Sequence, residues 1–271
     1  MSIIGNNIVL PSGSTSGGVT FSAIGFKTIL PISVATNAQE DSEYPFSNVL
    51  DYRDNTKYSP SIDSGSVTIT LTQGNLSEVD YYGIAVHNGG SASLYGTFEV
   101  FKGGLWVQVD TFAASGDNKT IMGYFGGVTC QKQRITLNFS EKLYIGAMNI
   151  GKSWSFDCSP DVGFTPAYTN NIDKVEQFTS ENGQFIISRR LEKGFSQKGS
   201  FSFLDWEGDN RFDSEYIDYM NHVKDSKPFF MKWNVENNQA FYGQQNPNNL
   251  TAPKYDTATT GSFNFDLKGR D

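Results

Sequence analysis

The ten residues VDYYGIAVHN, at positions 79–88, contain the pattern that decides the fold of this chain. Their side chains alternate, which is the signature of a β-strand and places every second residue on the same face. One face carries the larger side chains, namely those of Tyr82, Ile84 and Val86. The opposite face includes Gly83 and Ala85, whose small size allows another element to pack closely there. The pattern therefore predicts a strand of a β-sandwich.

His87 ends this strand and raises the question of catalysis, because histidine is the usual acid–base residue of enzymes. The chain has only one other histidine, His222, which falls in a different predicted domain and is interpreted as a partly exposed helix residue. A triad would also need a nucleophile and a carboxylate, and no motif supplies them. The sequence lacks a phosphate-binding loop, a GxSxG turn and an HExxH motif. We therefore predict no catalytic residue and no enzyme, with neutral His87 forming a hydrogen bond before the Gly89-Gly90 turn.

The composition excludes several classes of function. The 271 residues include 21 Phe, 13 Tyr and 27 Gly, which is typical of a β-rich protein with many turns. A net charge of −8, with no run of Lys and Arg, argues against a nucleic-acid partner. No stretch of about twenty apolar residues predicts a membrane span. The start lacks the pattern of a secretory signal, so we expect synthesis in the cytoplasm and reduced thiols, rather than a disulfide, at Cys130 and Cys158.

Short alternating strands run from about residue 30 to residue 150. The segment SVTITLT (66–72) alternates strictly, and RITLNF (134–139) repeats the pattern, so their apolar residues should face a common core. Strands at this spacing, separated by turn residues, predict a β-sandwich.

Two further segments predict a β-hairpin. YGTFEVF (95–101) and LWVQVD (105–110) flank the turn residues Gly103-Gly104. We expect Trp106 and Gln108 to face outward. The residues expected to face inward are Leu105, Val107 and Val109.

The second half of the chain contains further strands and one predicted helix. The segments in question are QFIISRR (184–190), GSFSFLDW (199–206), FFMKWNV (229–235) and GSFNFDLKG (261–269), of which the last two are strand-like. In the last of these, Phe263, Phe265 and Leu267 should share one face. We divide the chain into an N-terminal arm (1–25), a sandwich (26–150) and a β-rich domain (151–271).

The helix is predicted from about Asp209 to Lys224. Its apolar stripe is formed by Phe212, Tyr216, Met220 and Val223, with Ile217 widening it. Asp209 or Asn210 can cap the start, and Pro228 follows the end.

Two groups of residues are candidates for ligand binding. The loop DYRDNTKYSPS (51–61) brings together Asp51, Asp54 and Thr56, and oxygen ligands clustered in a turn suit Ca²⁺. The alternative for this loop is an Asx turn, in which the same side chains bind neighbouring amides. Trp106 is a candidate platform for sugar stacking, or else an aromatic residue of an interface. The aromatic residues that would join it are Tyr81, Tyr82 and Tyr95.

The order of these segments resembles that of a discoidin-like, or galactose-binding-like, jelly-roll sandwich. The likeness begins at NVLDYRDNTKYSPS and continues through SVTITL, VDYYGIAVHN, the hairpin and QRITLNF. In calcium- and sugar-binding members the first loop carries the metal, so the resemblance implies a Ca²⁺ role for Asp51, Asp54 and Thr56. Tyr52 replaces the usual glycine after the loop's aspartate. Tyr58 replaces a common tryptophan and keeps an aromatic plug.

Several segments are also similar to tail proteins of tailed bacteriophages. They are VDYYGIAVHN, RITL and LYIGAMNIGK in the sandwich, and KPFFMKW and FNFDLKGR in the β-rich assembly domain that follows it. The resemblance covers the chain from about residue 30 onward. It implies a structural protein of the virion, near the tail tip or baseplate, whose partners are other tail proteins and copies of itself in a ring. The alternative is a carbohydrate-binding module for a host-surface glycan, and the two roles are compatible.

Overall fold

The computed structural model describes residues 22–51, 55–114, 116–166, 171–179, 185–205, 212–235, 239–246, 252–255 and 260–269. Within these ranges the protein is mainly β, as predicted. The strands are β1 Ser22–Thr28, β2 Ser33–Thr36, β3 Gly65–His87, β4 Tyr95–Lys102, β5 Leu105–Ala113, β6 Ile121–Phe139, β7 Ile145–Phe156, β8 Asn171–Thr179, β9 Phe185–Asp205, β10 Phe229–Asn234, β11 Gln239–Gln245, β12 Lys254–Tyr255 and β13 Thr260–Gly269. The helix α1 spans Phe212–Lys224, and a short 3₁₀ helix spans Phe46–Leu50.

The chain divides into two compact units. The first contains Met1–Ser159 and Phe229–Phe241, and the second contains Pro160–Pro228 and Tyr242–Asp271. The domain boundary predicted at residue 150 placed β10 in the β-rich domain (151–271), whereas the structure places β10 in the first unit. Most of the predicted N-terminal arm (1–21) lies outside the described residues. None of the helices within the described ranges is long and apolar enough to cross a membrane.

The first unit is built around the two long strands β3 and β6. They pair antiparallel from Gly65 opposite Phe139 to Ile84 opposite Ile121, with a break in register after Thr72. Before the break β3 also pairs with β2, and β6 pairs with β4, which in turn pairs with β5. After the break β3 pairs with β7, and the order continues to β1 and β10. The two long strands therefore belong to both sheets of the unit.

Both sheets contribute to one hydrophobic core, which confirms the predicted β-sandwich. Every apolar residue of the two alternating segments is buried, because period-2 alternation places them all on the inner face. The core residues of those segments are Val67, Ile69, Leu71, Ile135, Leu137 and Phe139. Tyr58 is buried beside Phe46, with ring centroids 5.4 Å apart, and so forms the predicted aromatic plug.

The stretch VDYYGIAVHN lies at the end of β3 and is buried on both faces. Tyr82 and Ile84 enter the sandwich core. On the opposite face Gly83 lies under the ring of Phe230, so closely that a Cβ atom at Gly83 would approach the ring to 2.5 Å. Close packing against this face was predicted and is confirmed. The alternation ends at Val86, which has a φ of 55° and is only partly buried.

The second unit contains a sheet in which β13 pairs with β9, and β9 pairs with β8. The predicted face of β13 is confirmed, because Phe263, Phe265 and Leu267 are all buried. Phe201 of β9 stacks on Phe263, with ring centroids 5.5 Å apart. The two segments predicted around residues 184–190 and 199–206 form parts of the single strand β9.

Helix α1 is confirmed, but its buried stripe differs from the prediction. The buried residues are Tyr216, Tyr219 and Val223, and both tyrosine rings contact Phe263. Ile217, expected to widen the apolar stripe, is 58% exposed. The buried face advances three residues from Tyr216 to Tyr219 and then four residues to Val223, and Ile217 lies outside it. The predicted capping residues, Asp209 and Asn210, lie outside the described ranges.

Candidate functional site

The hairpin of β4 and β5 carries three aromatic residues that are at least partly exposed, Tyr95, Phe101 and Trp106. Its turn residues, Gly103 and Gly104, both have positive φ, which is the requirement of the tight turn that fits twisted strands. The predicted inward pattern of β5 is wrong at Leu105, which is 70% exposed beside the turn. Val109 is buried, whereas Val107 is only partly buried. Leu105 is exposed because it pairs with the exposed Lys102 next to the turn, whereas Val107 pairs with the buried Val100.

Cross-strand register brings five side chains together on the outer face of this sheet. Phe101 pairs directly with Trp106, and Glu99 pairs directly with Arg134. Lys132 lies two residues before Arg134 on β6, so it occupies the same face one row along. We call these five residues (Glu99, Phe101, Trp106, Lys132 and Arg134) the Trp106 cluster.

Arg134 holds the Trp106 cluster together. Its guanidinium donates from Nε to Glu99 Oε2 at 2.5 Å and from its second nitrogen to Glu99 Oε1 at 2.8 Å. The same group lies 4.5 Å from the centre of the Trp106 ring, a cation–π contact. The Phe101 ring meets Trp106 edge to face, with centroids 5.2 Å apart. Because bidentate pairing fixes the planar guanidinium, Trp106 is held against a rigid neighbour.

The outer face continues beyond the Trp106 cluster as a polar surface. Gln108, opposite Glu99 on β5, is exposed. Thr68 and Thr136 lie side by side, with their hydroxyl oxygens 3.2 Å apart. An aromatic pair bordered by charged groups and hydroxyls matches the chemistry of a sugar ring, which has apolar C–H faces and a rim of hydroxyl groups.

Only Trp106, among the four predicted sugar-binding residues, belongs to this cluster. Tyr81 and Tyr82 are 0% exposed, so both are wrong as stacking residues. The Tyr82 hydroxyl donates instead to Asp110 Oδ2 at 2.9 Å, inside the protein. Tyr95 is 57% exposed but begins β4, six residues before Phe101, which is about 20 Å away along a strand.

Four residues of the Trp106 cluster were not predicted from the sequence, namely Glu99, Phe101, Lys132 and Arg134. Phe101 could have been found by pairing the hairpin strands across Gly103-Gly104, because this places Phe101 opposite Trp106. Arg134 and Lys132 lie on β6, which is distant in sequence, and no local pattern predicts their register with β4.

The structure brings two of the three predicted calcium ligands together. The Thr56 hydroxyl lies 3.2 Å from Asp51 Oδ1 and 3.2 Å from the carbonyl of Asn48. Asp54 lies outside the described residues. Within the described ranges no group of three or more His, Cys, Asp or Glu residues is arranged to hold a metal ion. Side-chain bonding within the loop matches the alternative of a hydrogen-bonded turn, and the calcium site stays a prediction.

His87 is buried at the end of β3 and acts as a hydrogen-bond acceptor. The amide of Gly89 donates to His87 Nδ1 at 2.9 Å, which confirms the predicted hydrogen bond at the turn. Burial lowers the pKa of His87 from 6.5 to about 4, so the ring is neutral at pH 7. His222 is partly buried, and its Nε2 lies 2.9 Å from the carbonyl of Pro228.

No family model and no curated protein matches. The GH29 fucosidase of Ruminococcus gnavus in complex with fucose is 20% identical over 45% of this chain and 25% of its own, with a TM-score of 0.39. The CBM32 of AlyQ in complex with 4,5-unsaturated mannuronic acid is 21% identical over 45% and 96%, with a TM-score of 0.38. The family 32 CBM of C. perfringens NanJ in complex with galactose is 17% identical over 45% and 97%, with a TM-score of 0.39.

This chain therefore matches a quarter of the fucosidase and nearly the full length of the two binding modules. The predicted mainly β fold with an N-terminal β-sandwich is confirmed by the strand pairing and the single core of the first unit. Assignment to phage tails stays a prediction.

Proposed function

We propose that this protein binds carbohydrate through the Trp106 cluster and does so without catalysis. The observation that carries the proposal is the Trp106–Phe101 pair, which stays partly exposed on an open sheet face beside the Arg134–Glu99 ion pair. Aromatic rings that serve only to fill a core are buried, whereas these two lie where a ligand can reach them.

Pre-organisation supports a binding role for this cluster. Arg134 is already fixed by two hydrogen bonds and by its contact with Trp106, so a ligand need not order it. Binding to groups that are already ordered avoids part of the entropic cost of association. One face of the Trp106 ring is covered by Arg134, so the sugar is expected on the remaining ring surface and on Phe101.

Replacing Trp106 with alanine should weaken glycan binding at least tenfold, or about 1.4 kcal/mol, because the stacking surface is lost. The ligand is first identified on a glycan array with the full chain, and its affinity is then measured by titration calorimetry. Phe101→Ala should also lower the affinity for the glycan. Trp106→Phe should retain part of that affinity because an aromatic ring remains.

The matched control for these variants is Tyr95→Ala. Tyr95 is an exposed aromatic residue of the same strand as Phe101, but it lies at the opposite end. Its removal should leave the affinity unchanged. Equal losses in Tyr95→Ala and Trp106→Ala, or full affinity in Trp106→Ala with its fold intact, would remove the Trp106 cluster as the binding site.

We propose, as a second function, assembly into the tail of a bacteriophage particle. The resemblance to tail proteins supports this role, and so does an exposed apolar patch formed by Leu30, Ile32 and Leu76, which are 63%, 72% and 69% exposed. Ile32 lies next to the segment that carries Leu76, since a Cβ atom at Gly74, two residues before Leu76, would lie 3.5 Å from a methyl group of Ile32. Exposed apolar patches mark interaction surfaces, and a ring of copies would cover this one in the virion.

Replacing Ile32 and Leu76 together with aspartate should abolish self-association, because burying two carboxylates in an apolar contact is unfavourable. Oligomer mass is measured by light scattering across a concentration series, with negative-stain images to detect rings. Ile217→Asp is the control, because Ile217 is an exposed apolar residue of the second unit, outside this patch. A wild-type protein that stays monomeric at all concentrations and joins no tail particle would contradict this role.

A further inference from the structure

We infer that the ligand of the Trp106 cluster is an acidic carbohydrate, one whose sugar rings carry carboxylate groups. This inference rests on the proposed carbohydrate-binding function and specifies its ligand class. The juxtaposition that points to it is the exposed ammonium group of Lys132 beside the Phe101–Trp106 pair.

The charges of the cluster do not cancel. Arg134 and Glu99 form a bidentate pair, so each already has its counter-charge. Lys132 is exposed, and among the described residues no carboxylate lies within 4 Å of its ammonium nitrogen. Asp110, on the neighbouring strand, points to the other side of the sheet, where it accepts the hydroxyl of Tyr82. The cluster therefore carries one uncompensated positive charge in a chain whose net charge is −8.

The position of this charge matches the shape of a uronic acid. The Lys132 ammonium nitrogen lies 5.7 Å from the centre of the Phe101 ring, so a cation and an aromatic surface border the same space. A uronic acid has a carboxylate directly attached to its pyranose ring. A ring packed on Phe101 and Trp106 can therefore place that carboxylate at the Lys132 ammonium group. A lysine, as a mobile point charge, accommodates a carboxylate in several orientations.

Oligogalacturonate and its fully methyl-esterified form provide the direct test, because they share one backbone and differ at the carboxyl group, which is charged in the acid and neutral in the ester. Titration calorimetry with the full chain should show at least fivefold tighter binding of the charged form. Lys132→Gln should remove this preference by weakening the charged ligand roughly fivefold to tenfold and leaving the ester unchanged. Trp106→Ala should weaken both ligands.

A matched lysine elsewhere in the first unit serves as the control. Lys27 also lies 5.7 Å from the centre of a phenylalanine ring, that of Phe26, so Lys27→Gln removes a lysine charge near an aromatic ring outside the cluster. It should leave both affinities unchanged. Equal binding of the two forms, or a charge preference that survives Lys132→Gln, would overturn the inference while leaving carbohydrate binding intact. Failure to bind these ligands, together with a blank array of neutral and acidic glycans, would instead remove the proposed function.

Discussion

Replacing Gly83 with alanine is expected to destabilise the first unit by roughly 2–3 kcal/mol. The added methyl group would lie 2.5 Å from the ring of Phe230, and both residues are fully enclosed in this unit. Neither the strand nor the ring has free space to move into, because protein interiors are close-packed. The free energy of unfolding is measured by urea denaturation followed through tryptophan fluorescence.

Gly127→Ala is the matched control for this prediction. It also adds a methyl group to a glycine in a long strand, but the nearest atom, at 2.4 Å, is the carboxylate tip of Glu78. That side chain is 45% exposed and can move aside, so the change should be within about 0.5 kcal/mol.

A double-mutant cycle isolates the contact between Gly83 and Phe230. Phe230→Ala alone should cost about 3–5 kcal/mol, because it leaves a cavity. In the double variant the new methyl group meets no ring. The loss of unfolding free energy measured for the double variant should therefore be clearly smaller than the sum of the losses of the two single variants. Strictly additive losses would show that the methyl group strains something other than Phe230.

The same pair of residues shows how far the sequence determines this fold. Alternation in VDYYGIAVHN predicted the strand, and the small size of Gly83 predicted a close neighbour. The identity of that neighbour was not predictable, because Phe230 lies in a segment that local pattern assigned to the other domain. Pairing between strands distant in sequence depends on the whole topology, which a local periodicity does not contain.

The candidate site was likewise predictable from the sequence only in part. Trp106 was identified because alternation in the hairpin strand LWVQVD places it on the outer face of the sheet. Tyr81 and Tyr82 were misassigned because alternation distinguishes two faces but does not show that both are covered. Leu105 was misassigned because it lies next to the hairpin turn, opposite the exposed Lys102, and alternation along a strand does not show where the core ends.

Replacing Asp80 with asparagine should stabilise the first unit at pH 8 by roughly 2–4 kcal/mol. Burial raises the pKa of this carboxyl group from 3.8 to about 7, against the opposing effects of the Ser153 amide, which donates to Asp80 Oδ1 at 2.6 Å, and of the Lys152 charge. Asparagine keeps an oxygen that can accept the same hydrogen bond, but it never becomes a buried charge.

The sign of the pH dependence follows from the protons bound in each state. Between pH 3.8 and about pH 7 the folded protein keeps Asp80 protonated, whereas the unfolded chain has lost that proton. The contribution of Asp80 to the free energy of unfolding therefore falls as the pH rises through this window, and the loss is complete above it. Wild type and Asp80→Asn should have similar stability at pH 4 and should diverge progressively toward pH 8.

Urea denaturation of both proteins at each pH gives the difference directly. The contribution of His87, whose lowered pKa has the opposite slope between pH 4 and 6.5, is present in both proteins and cancels. Glu78→Gln is the control, because Glu78 is an exposed neighbouring carboxylate paired with Lys152 at 2.5 Å, and its loss should cost less than about 0.5 kcal/mol. A difference between wild type and Asp80→Asn that stays constant from pH 4 to pH 8 would mean that Asp80 titrates alike in the folded and unfolded states. Its burial would then impose no cost on the charged form.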